Sequence, residues 1–69
     1  MTPSEVDALV RRVIIQLRAP FAVLSIIASP IGWNIQVRTG TRGTVSFTIA
    51  DGRPLAMRSA IMARLESEV

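Results

Sequence analysis

The chain has 69 residues with eight arginines, no lysine and five acids, a formal net charge of +3. With no histidine, no cysteine and no lysine, it lacks an imidazole base, a thiolate nucleophile or zinc ligand, and an amine for Schiff-base chemistry. At 49% hydrophobic residues it is too apolar for a disordered tail and short enough for one domain only, residues 1–69.

The first element announces itself at Thr2-Pro3-Ser4-Glu5. A hydroxyl at the N-cap, proline at the first helical position and glutamate three residues on form a capping box. Behind it Val6, Leu9, Val10, Val13, Ile14 and Leu17 make one stripe of a 3.6-residue period. Glu5 and Asp7 suit the helix start and Arg18 its end, and Asp7 and Arg11 form an i, i+4 pair. Pro20 pushes the preceding residue out of the α region. The predicted helix covers residues 3–18.

Phe21–Ala28 is short, apolar and β-branched at Val23, Ile26 and Ile27, so it reads as a strand with little solvent on either side. Ser29-Pro30-Ile31-Gly32 is turn chemistry. In Trp33–Arg38 the apolar Trp33, Ile35 and Val37 alternate with Asn34, Gln36 and Arg38. Thr39-Gly40-Thr41-Arg42-Gly43 reads as a hairpin loop, after which Val45, Phe47 and Ile49 alternate with Thr44, Ser46 and Thr48. Asp51-Gly52-Arg53-Pro54 opens a second helix over residues 54–67. Its expected apolar sector is Leu55, Ile61, Met62, Leu65 and Val69, flanked by Ala56, Ala60 and Ala63. The expected architecture is α+β: α-β-β-β-α with a three-stranded antiparallel meander sheet and both helices packed on one face.

Two features sit awkwardly in an isolated copy of that fold. Two helices roof a single face of a small sheet, yet on strict alternation Phe21, Val23 and Ile27 oppose Ala22, Leu24 and Ile26, and both sets are apolar. An apolar edge strand is an association site, so Phe21, Val23, Leu24, Ile26 and Ile27 are the candidate contacts for a homodimer or other protein partner. Arg58 falls inside the apolar sector of the second helix. It is expected to pair with Asp51, Glu5 or Asp7, to lay its stem over the core, or to meet an anion near the helix N-terminus.

The element order, together with Arg53, Ala56, Ala60 and Leu65 in the second helix and Pro30 in the first turn, resembles the double-stranded-RNA-binding domain. That resemblance implies both helices on one side of the sheet and phosphate contacts at the start of the second helix. Pro54 and Met57 stand where the family carries further lysines, and Ser29-Pro30-Ile31-Gly32 lacks the family's turn histidine. The related messenger-RNA-cutting toxins need a catalytic histidine, which this chain does not have.

No enzyme chemistry is expected. Glu66 and Glu68, like Glu5 and Asp7, differ by about 200° around a helix and do not converge as a pair. The serines have no histidine or lysine to activate them. Gly40-Thr41-Arg42-Gly43 lacks the lysine and spacing of a phosphate loop. No cofactor or metal is expected. The leading expectation is a non-catalytic, self-associating interaction module. The rival is electrostatic binding of double-stranded RNA or DNA through Arg38, Arg42, Arg53 and Arg58.

A membrane partner is not expected, since the most apolar stretch, Val13 to Ile31, carries Gln16, Arg18 and Pro20. A central arginine costs roughly 2.5–3.5 kcal/mol on insertion. Glu5 and Asp7 stand where a signal peptide carries bases, so a cytoplasmic location is expected.

Overall fold

The structure, a computed structural model, describes residues 1–40 and 43–69. The elements are α1 (Pro3–Leu17), β1 (Ala22–Ser29), β2 (Gly32–Thr39), β3 (Gly43–Ala50) and α2 (Pro54–Glu66). The strands form one antiparallel sheet in the order β1-β2-β3. This is the α+β meander, in the order α-β-β-β-α, expected from the sequence.

The capping box starts α1. The Thr2 N–H donates to Glu5 Oε1 at 2.9 Å and the Glu5 N–H donates to Thr2 Oγ1 at 3.3 Å. These hydrogen bonds favour the ionised carboxylate and hold the Glu5 pKa below its ordinary value. The helix stops one residue earlier than the proline alone suggests. Arg18 turns left-handed at φ 55°, and its N–H and that of Ala19 close the last turn on Ile15 and Ile14 carbonyls. Arg18 is thus the C-cap rather than part of the last turn.

Strands β2 and β3 follow their alternation. Trp33, Ile35, Val37, Phe47 and Ile49 are buried beneath the helices, joined by Val6, Val10, Val13 and Ile14 of α1. The opposite sheet face carries Asn34, Gln36, Arg38, Thr44, Ser46 and Thr48. Both helices therefore pack on one face. The Trp33 Nε1–H, carried into the core by its ring, donates to Asp51 Oδ1 at 3.1 Å, so the buried indole keeps a partner. The turn between β1 and β2 needs only Pro30 and Ile31, because Ser29 pairs with Gly32. At the other hairpin Thr39 pairs with Gly43, whose φ of 85° suits glycine, and Thr39 Oγ1 donates to the Gly43 carbonyl at 3.0 Å. Thr41 and Arg42 of that loop lie outside the described residues.

The second helix is rotated from the expected sector. Its buried seam is Met57, Ile61 and Leu65, spaced i, i+4, i+8. Leu55 and Val69 are instead 74% and 76% exposed. Placing Met57 inside turns the buried centre by about 60°. Leu55 then swings off the core, and Val69 lies past the end of the helix. Ala56, Ala60 and Ala63 are exposed, so the small-residue flank faces solvent and not a second helix.

Candidate functional site

The face assignment of β1 is where the structure departs most from strict alternation. Val23 pairs with Val37 and Ile26 with Ile35, both on the roofed face, while Ser25 pairs with Gln36 and Ile27 with Asn34 on the open face. The shift is a β-bulge between Val23 and Ser25, which places Leu24 and Ser25 together opposite Gln36. The bulge regroups the side chains. Phe21, Val23 and Ile26 pack against the core, whereas Leu24 and Ile27 stay 44% and 59% exposed. The five apolar residues singled out in this strand thus divide into three that complete the monomer and two that do not.

The surroundings of those two residues differ. Ile27 sits on the open sheet face beside Asn34 and Thr48, in an otherwise polar row where Ser25 Oγ donates to Gln36 Oε1 and Ser46 Oγ to Asn34 Oδ1. Leu24 lies at the bulge on the edge itself. With Val23, Ser25 and Ile26 of β1 and Pro3, Ser4, Asp7 and Arg11 of α1 it lines a cleft of about 310 Å³. A second hollow of about 250 Å³ continues along the same edge, lined by Arg11, Ile14, Ile15, Phe21, Ala22 and Val23. Arg11 and Val23 belong to both, so one trough runs between α1 and the free side of β1. Since β1 pairs only with β2, alternate backbone N–H and C=O groups along that side have no partner within the sheet.

The second edge, β3, is different. It alternates Thr44, Ser46 and Thr48 on the open face, and its inner residues Phe47 and Ile49 are covered. The Arg64 guanidinium lies 5.6 Å from the centre of the Phe47 ring and screens that end. Exposed apolar side chains of the sheet therefore concentrate on the β1 side.

Charge is distributed rather than gathered. Arg38 is exposed on the open face at the Thr39 end of β2, and Arg53 is the exposed N-cap of α2 beyond the far end of β3. Six strand steps separate Thr44, the partner of Arg38, from Ala50, a span of about 20 Å. Arg58 is half-buried on the helical side and donates from Nη2 to Gln16 Oε1 of α1. Its partner is thus a neutral amide across the helix pair, not Asp51, Glu5 or Asp7. Each of those acids is engaged elsewhere: Asp51 with Trp33, Glu5 in the cap, and Asp7 with Arg11 at 2.9 Å. Arg38, Arg53 and Arg58 do not share a face, and Arg42 lies outside the described residues.

What sequence reasoning missed is the part of α1 that walls the trough. Asp7 and Arg11 are legible as a helical pair, but their position over the β1 edge depends on how the helix lies on the sheet. Among the described residues no three acidic side chains gather as a metal site, and no helix is long and apolar enough to cross a membrane. No family model, curated protein or solved structure matches the chain.

Proposed function

We propose that this chain is a small non-catalytic interaction module that associates with itself through the free edge of β1. The observation that carries this reading is the pair Leu24 and Ile27, large aliphatic side chains left exposed on an edge strand with free backbone groups. Removing such surface from water yields about 25 cal/mol per Å², and a chain this short buries only ~60% of its unfolded surface by itself. Association through the edge adds both apolar burial and backbone pairing to a small core.

The test is substitution of the two exposed positions. Leu24→Lys and Ile27→Lys should each weaken association by on the order of tenfold or more while leaving the far-ultraviolet circular dichroism of the domain intact. Ile26→Lys should lower the unfolding midpoint instead, because Ile26 packs against the core. Sedimentation equilibrium and thermal melts on the three variants separate the two effects. Unchanged self-association in both exposed-site variants would remove the β1 edge from the interface.

The element order shared with the double-stranded-RNA-binding domain raises a second reading, phosphate recognition by Arg38, Arg53 and Arg58. The spread of these side chains over opposite faces and ends favours the protein-interaction reading, since duplex binding draws on basic groups gathered on one surface. Titration of duplex RNA at ~50 mM salt should give no complex at micromolar protein. A complex that weakens steeply as salt rises would restore the nucleic-acid reading.

A further inference from the structure

The trough beside β1 is not symmetric along its length, and that asymmetry suits one occupant in particular. Its helical wall is the stripe Ser4, Asp7, Arg11 and Ile15, with an acid and a base at its middle and an exposed isoleucine at one end. Its other wall runs antiparallel to the helix, since Ser4 and Ile26 line one hollow, Ile15 and Ala22 line the other, and Arg11 and Val23 line both.

The two walls also share a scale. Ser4 to Arg11 is seven helical steps, about 10 Å, and Ile26 to Val23 is three strand steps, also about 10 Å. The midpoint between Asp7 and Arg11 therefore stands level with the Leu24 bulge. A twofold axis passing the edge at that level carries Asp7 of one copy to the level of Arg11 in the other. Arg11 uses only its Nε on Asp7 of its own chain, at 2.9 Å, and Asp7 accepts that bond on Oδ2. The Arg11 Nη groups and Asp7 Oδ1 remain for bonds across the axis.

Resting on the self-association proposed above, we propose that the occupant of this trough is a second copy of the chain in antiparallel β1–β1 pairing. The α1 helices then lie side by side and antiparallel, and Asp7 of each copy faces the partner's Arg11. Four alternating charges close a ring over the seam, and Ile15 of each copy covers the proline-started end of the opposite helix. The sequence of charges along α1, acid before base, makes this arrangement attractive and a parallel pairing of the helices repulsive. Because the contact is twofold, it closes at two copies.

Charge reversal tests the seam separately from association as such. Asp7→Arg places two arginines against two arginines, and Arg11→Asp places acids against acids. Each variant alone should dimerise about tenfold more weakly than the parent chain, and more so at low salt. An equimolar mixture of the two should form mixed dimers of near-parental affinity, because each then meets its opposite. The double variant Asp7→Arg/Arg11→Asp should dimerise with itself as the parent does. Circular dichroism shows whether each variant keeps its helices, and the double variant keeps the test decisive if a single one unfolds. Single variants that dimerise as well as the parent, or a mixture or double variant with no recovery, would overturn the seam and leave self-association standing. A parent chain that stays monomeric, with the trough filled only by some other peptide, would overturn both.

Discussion

Gly32→Ala should remove more than half of the stability of the domain. Gly32 lies at φ 155°, and a Cβ placed there would sit 2.0 Å from the Ile49 carbonyl oxygen and 2.8 Å from the Asp51 amide nitrogen. Both are backbone atoms and have no rotamer to move into. Gly32 also pairs with Ser29 on one side and Ala50 on the other, so relieving the clash opens the end of both hairpins. The expected cost is on the order of 3 kcal/mol or more, against a total stability of roughly 5 kcal/mol for a domain of this size. Urea unfolding followed by circular dichroism reads it directly. Gly52→Ala is the matched control, because nothing lies within 4 Å of its added Cβ. A Gly32→Ala chain as stable as the Gly52→Ala chain would mean that β2 and β3 meet differently at this end of the sheet.

Met57→Lys should destabilise the domain at least as strongly, and its failure would be as informative. The resemblance drawn from the sequence sets Met57 at a lysine position of the double-stranded-RNA-binding domain, and a surface of that kind would accept the change and bind phosphate better. In this structure Met57 is 1% exposed and begins the seam with Ile61 and Leu65. An ammonium there loses its hydration or deprotonates, because burial pushes its pKa down. The expected loss is about 3–5 kcal/mol, larger at lower pH, because the unfolded chain takes up the proton that the buried amine resists. A Met57→Lys chain with native melting behaviour and new affinity for duplex RNA would place residue 57 on the surface and reverse the rotation of α2 described above.

Periodicity made most of this fold legible. The capping box, the α1 stripe and the alternation of β2 and β3 each leave one physical solution, and the structure adopts it. Two places resisted. In α2 the apolar residues are too spread around the wheel to define one sector, and Arg58 lies among them. The core then selects Met57 over Leu55, and Arg58 finds Gln16 on the facing helix. In β1 strict alternation puts Ser25 on one face with Phe21, Val23 and Ile27, which would carry a hydroxyl toward the core. The bulge at Leu24 turns Ser25 out to Gln36 and brings Ile26 in beneath the helices. The stranded serine was the one visible sign of the bulge.

The candidate site was legible only in outline for the same reason. An apolar edge strand is readable from residue types, and β1 is an edge strand of the sheet. Which of its residues remain exposed depends on the bulge, and which helical residues stand beside them depends on the lateral placement of α1. Asp7 and Arg11 read as a local helical pair, and only the tertiary arrangement brings them over the trough.

The most direct measurement is the mass of the parent chain in solution across a concentration series, by sedimentation equilibrium at moderate salt. Reversible growth from one copy to two, ending at two, is the expected result. A single-copy mass maintained into the high micromolar range would contradict it, and would show that Leu24 and Ile27 remain in water without a second copy to cover them.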